Sequence, residues 1–162
     1  MQLFPTTDDT TSILAFDIFQ LLGTTSMPEE QKQDYIDNLT KLIMEYFLQE
    51  KVGDRLTADQ IQDLMSKYPP DSDQNIQGFF QAIGELLPDA PDLLTEASTE
   101  VKARLVRDQY TKMRENYRQK LKVATSDLVK TDLEYKIKDC EDKLSLIDSQ
   151  QWGKLAKITQ KQ

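Results

Sequence analysis

Asp71, Asp73 and Asn75 stand at alternate positions, the spacing with which an oxygen-lined calcium loop begins. The sixth position of such a loop needs glycine for a sharp turn, and the twelfth needs a glutamate that grips the ion with both oxygens. Here those positions hold Ile76 and Ala82, so the three polar residues are read as caps and turns before a helix. Cys140 has Lys136, Lys138 and Lys143 nearby, which would favour a thiolate. It also lies among Leu133, Ile137 and Leu144, and no histidine exists to act as its base, so it is read as a small buried hydrophobe.

The rest of the inventory is a list of exclusions. With no histidine and one cysteine, the chain has no Ser-His-Asp or Cys-His nucleophile, no usual zinc site and no internal disulfide. Its five glycines are scattered singly at 23, 53, 78, 84 and 153, so neither a phosphate-cradling loop nor a dinucleotide fingerprint can be drawn. Carboxylates abound, but on helices they fall mainly on polar faces, and acid–base catalysis needs a desolvated cleft. The expectation is a non-enzymatic protein without metal, cofactor or small-molecule substrate.

These side chains must be carried by helices. No run of alternating β-branched or aromatic residues occurs, and the apolar residues recur at spacings of three and four. The chain is expected to be all-α. An apolar stretch, Ile13 to Leu22, ends at Gly23, a left-handed helix terminus. Ser26 with Glu29 has capping-box spacing and opens a second helix with the stripe Ile36, Leu39, Ile43 and Tyr46, expected to stop near Gly53. Thr57 and Gln60 form a further capping box, with Leu56 and Ile61 at the staple positions, and that helix stops at Pro69-Pro70. A fourth helix follows Asp71-Ser72-Asp73, bears Ile76, Phe79, Phe80, Ile83 and Leu87, and ends at Pro88. Gly78 and Gly84 inside it each cost about 1 kcal/mol relative to alanine.

From Asp92 to Trp152, 61 residues contain neither glycine nor proline. Val106, Tyr110, Met113, Tyr117, Leu121, Ala124 and Leu128 keep heptad-like steps, and Leu133, Ile137, Cys140, Leu144 and Ile147 continue in another phase. The slip coincides with Thr125, Ser126 and Asp127, which favour caps and turns. A helical hairpin is therefore preferred to one continuous helix of about 90 Å. The expected organisation is a flexible N-terminus over 1–11, an acidic bundle of about four short helices over 12–88, a long hairpin or coiled coil over 91–152, and a frayed tail over 153–162.

Charge divides the chain. Asp and Glu total 28 against 20 Lys and Arg, a net charge of -8. Residues 1–97 hold 18 acidic and 5 basic side chains, whereas 98–162 hold 10 acidic and 15 basic. The basic excess is Lys102, Arg104, Arg107, Lys112, Arg114, Arg118, Lys120 and Lys122. Such a helix could neutralise phosphates, could meet an acidic surface in the same or another chain, or could simply be solvated. After Met1, Gln2, Leu3, Phe4 and Pro5 comes a polar run, Thr6 to Ser12, that includes Asp8 and Asp9, and the first lysine is Lys32. A secretory leader needs positive charge followed by an apolar run, and a membrane span needs about 20 apolar residues. A cytoplasmic protein without membrane attachment is expected.

Leu21-Leu22-Gly23, then Met27-Pro28-Glu29-Glu30-Gln31-Lys32, and Leu56-Thr57 with Gln60 and Leu64 resemble a short bacterial helical domain family of unknown function. The resemblance covers roughly residues 12–68. It implies a bacterial, cytoplasmic origin and assigns no activity or site residue. The function expected from the residues is a helical protein-interaction or self-association module. Its binding stripe would be Val106, Tyr110, Met113, Tyr117, Leu121, Leu133, Ile137, Leu144 and Ile147. The alternative is a nucleic-acid-associated protein using the basic helix 102–122.

Overall fold

A computed structural model of the chain describes residues 12–160. The expected flexible segment 1–11 lies outside them. Among the described residues there are seven α-helices and no strand: α1 (Ile18–Leu22), α2 (Glu29–Tyr46), α3 (Ala58–Lys67), α4 (Asp73–Leu86), α5 (Ala90–Val123), α6 (Asp127–Asp148) and α7 (Trp152–Gln160). A 3-10 turn, Ile13–Ala15, precedes α1, and a π turn, Phe47–Lys51, extends α2. The protein is all-α.

The chain forms two compact units, and their division differs from the one expected. One unit is Pro28–Val101; the other joins the residues up to Met27 with those from Lys102 onward. The boundary falls inside α5, so a single helix contributes to both. The expected division at Pro88 to Pro91 follows the breaks in the helical pattern, whereas the compact units follow which residues the fold brings close together.

In the Pro28–Val101 unit, α2, α3, α4 and the first turns of α5 enclose a core. Phe47, Val52, Phe79, Ile83 and Ala97 are wholly buried there, with Met44, Leu56, Leu64 and Leu87 around them. Thr57 and Gln60 form the capping box reciprocally, and Leu56 and Ile61 pack on this core as the staple requires. Ser72 caps α4 by accepting from the Asn75 N–H. The Ser26–Glu29 box does not form. Pro28 occupies the cap of α2 without a side-chain bond, because the Met27 N–H bonds the Thr24 carbonyl and holds Ser26 in the preceding turn. The helix also yields to the π turn before Gly53, where the Val52 N–H reaches the Phe47 carbonyl. Lys51 then bonds Glu96 at 3.3 Å and Glu100 at 2.7 Å, tying this turn to α5.

In the other unit, α5 and α6 fold back as a hairpin, with Ala124, Thr125 and Ser126 as the link. Ser126 caps α6 by accepting from the Val129 N–H. The pairing is antiparallel: Arg107 meets Asp148, Lys143 lies over Tyr110, and Lys136 lies over Tyr117. Arg118 Nη2 bonds Glu141 Oε1 at 2.9 Å.

The expected frayed tail is instead α7, which packs on α1 and α6 with Trp152, Leu155, Ala156 and Thr159 buried. The reason is the apolar character of α1, whose Ile18, Phe19, Leu21 and Leu22 are all buried and need a cover. Gln150, in the left-handed region at φ 56°, turns the chain between α6 and α7. Its N–H and that of Gln151 satisfy the last carbonyls of α6, at Ile147 and Leu146.

Candidate functional site

The stripe expected to meet a partner is consumed by the chain itself. Val106, Tyr110, Leu133, Leu144 and Ile147 are buried. Met113, Tyr117, Leu121 and Ile137 are half-buried. Two helices of this length present matching heptad faces to each other, and α1 and α7 supply the apolar surface that a second chain would otherwise provide. Tyr110 shows the closure most directly: its hydroxyl donates to the Leu21 carbonyl at 2.6 Å. That carbonyl belongs to the last turn of α1 and has no partner within its own helix. Burial raises the Tyr110 hydroxyl pKa well above that of an ordinary tyrosine.

Cys140 is buried, and burial pushes its thiol pKa up, the opposite of what a reactive cysteine needs. Asp71 and Asn75 bond each other, Nδ2 to Oδ1 at 2.6 Å, as turn and cap residues. Asp73 to Leu86 is helical, so the positions that would have closed a calcium loop are helix interior.

The basic patch is largely spoken for. Lys102 Nζ donates to the Phe16 carbonyl, and burial lowers its pKa. Arg107 pairs with Asp148, Arg114 with Glu115 at 3.3 Å, and Arg118 with both Glu115 and Glu141. Arg104 is also engaged. Lys112, Lys120 and Lys122 are exposed and have no ion pair among the described residues. Of the eight cations on this helix, five are therefore engaged, and Lys112, Lys120 and Lys122 are without an ion pair among the described residues.

The most exposed large apolar side chains among the described residues lie on the hairpin, mostly at its turn. Leu128 is 81% exposed, Val123 78% and Val129 48%, and Tyr135 stands 80% exposed further along α6. Leu128 continues the heptad-like spacing of α5 in the sequence but is not part of the expected binding stripe. The helix break at Ala124–Ser126 interrupts the register, and α6 restarts with Leu128 pointing to solvent. Lys120, Lys122 and Lys130 flank these aliphatic side chains, against Asp127 alone. The signal available in the sequence was three apolar residues crowded around a predicted turn, where loops are ordinarily polar.

No family model, curated protein or solved structure matches this chain. Among the described residues, no helix is long and apolar enough to cross a membrane.

Proposed function

We propose that the protein is a non-catalytic helical module that works by self-association, with the turn end of the α5–α6 hairpin, its tip, as the contact element. The observation that carries this reading is the exposure of Val123, Leu128 and Val129 on a hairpin whose stripe is otherwise buried or half-buried. Three aliphatic side chains held on a rigid two-helix support form a preorganised contact, so little ordering entropy is lost when they bind. The reading replaces the heptad stripe by the tip as the binding element and keeps the interaction role inferred from composition.

Light scattering across a concentration series tests it. The wild-type mass should rise above the 18.7 kDa of one chain, and Leu128→Asp with Val129→Asp should return it to 18.7 kDa with helicity intact. A mass unchanged by the double substitution, or a wild-type monomer throughout, would remove the tip from consideration. The alternative, a nucleic-acid-associated protein, draws support from Lys112, Lys120 and Lys122. It requires a complex with excess absorbance at 260 nm that dissolves as salt rises.

A further inference from the structure

The Pro28–Val101 unit carries a cleft of about 540 Å³ between α2 and the start of α4. Ile36, Met44 and Ile76 are its apolar lining, and Ile36 is 37% exposed. Asp37, Asp71 and Asp73 also line it, with Lys41 as the single cation of the lining, a net charge of -2. Asp37 accepts from the Gln33 amide at 2.8 Å and Asp71 from the Asn75 amide. Neutral amides fix the positions of those carboxylates without cancelling their charge. Clefts of roughly 300–1,000 Å³ are of the size that buries a compact apolar group.

The hairpin tip is the converse surface. From the last turn of α5 through the first turn of α6, residues 120–130 carry Lys120, Lys122 and Lys130 against Asp127, a net charge of +2. The apolar protrusion formed by Val123, Leu128 and Val129 projects among them. Each surface alone is an unpartnered apolar feature. Together they match in sign of charge and in shape, a protrusion for a recess.

We propose that the hairpin tip of one copy docks in the α2–α4 cleft of a second copy, Leu128 and Val129 against Ile36 and Ile76, with the tip lysines facing Asp37 and Asp73. The inference rests on the tip being the contact element and names what the tip binds. Tip and cleft are different surfaces, so a pair joined by one contact still offers one free tip and one free cleft. Such contacts close into rings, the smallest being a pair in which each tip fills the other copy's cleft, or run on as chains.

Charge reversal on each side tests it with the full chain. The cleft variant is Asp37→Lys with Asp73→Lys; the tip variant is Lys120→Glu, Lys122→Glu and Lys130→Glu. Each alone should weaken association by about tenfold or more at low salt, since like charges then face each other. Mixing the two variants should restore it. Circular dichroism confirms that both remain folded. As a geometric check, copies bearing Leu128→Cys mixed with copies bearing Ile36→Cys should give a disulfide-linked heterodimer under mild oxidation, in excess over either homodimer.

If the tip variant loses association while the cleft variant keeps it, the tip reading stands and the cleft assignment is overturned. If neither variant loses association, both fall. Failure of the mixture to recover, or a disulfide yield no greater than the homodimers, also overturns the tip–cleft contact.

Discussion

Lys143, only 3% exposed, holds its Nζ 5.4 Å from the centroid of the Tyr110 ring across the α5–α6 interface. The same ammonium bonds Asp139 Oδ2 at 2.8 Å, one turn earlier on α6. A cation is thus buried between an aromatic face and a carboxylate, in the middle of what the heptad pattern marks as an apolar seam. Its methylene stem packs as a hydrophobe would, while the charge is satisfied locally.

This arrangement predicts an asymmetry. Lys143→Met keeps the stem and removes the charge, leaving Asp139 at a position with access to water, and should cost less than about 1 kcal/mol. Asp139→Asn removes the carboxylate beside a buried ammonium and should cost about 1–3 kcal/mol. That is below the loss for a fully buried pair, because the Asp139 side chain is about a third exposed. Urea unfolding of the two variants decides it. If Lys143→Met proves the more damaging, the charge itself stabilises the seam.

Tyr110 predicts an alkaline limit to stability. Its hydroxyl is held protonated by burial, so its folded pKa lies above the unfolded value of about 10. Below pH 10 the group is neutral in both states. Above it the unfolded chain releases the proton while the folded one retains it, so the stability this group contributes falls as pH rises. Tyr110→Phe should cost about 1–3 kcal/mol near pH 8, because the Leu21 carbonyl loses its donor. The same variant should decline less steeply than wild type between pH 10 and pH 11.5. Parallel urea-midpoint curves for the two proteins would show that the Tyr110 proton is not linked to folding.

The two glycines of α4 should respond differently to alanine. A Cβ on Gly84 meets nothing within 4 Å, so Gly84→Ala should gain about 0.5–1 kcal/mol from helix propensity alone. A Cβ on Gly78 would lie 2.6 Å from the Tyr68 ring, which packs on the core at the end of α3. Gly78→Ala must displace that ring and should be the less stable of the two by at least about 1 kcal/mol. Thermal melts of both variants measure the difference. Equal melting temperatures would mean that the ring moves without cost.

Local features were legible in the sequence because their causes are local. Thr57 with Gln60, Ser72 before α4, Gly23 after α1 and Ser126 before α6 all cap helices from within a few residues of themselves. The period of the apolar residues likewise carried the all-α class and the two arms of the hairpin. The Ser26 cap misled because three neighbouring residues formed a competing turn. Gly78 looked like a weakness and is a contact, since the Tyr68 ring that requires it lies ten residues away in sequence.

The candidate site was hardly legible at all. A stripe of apolar residues on a helix states that something must cover it and says nothing of what does. Only the tertiary structure decided that Val106, Tyr110 and Leu144 are buried within the chain itself, while Leu128 and Val123 at the hairpin turn are left mostly exposed. It likewise assigned Arg107 and Arg118 to carboxylates on α6 and left Lys120 and Lys122 to solvent. The sequence by itself determined helix type, caps and charge balance, which arise from contacts within a turn or two. Burial and pairing depend on residues brought together from opposite ends of the chain, and those were decided by the fold.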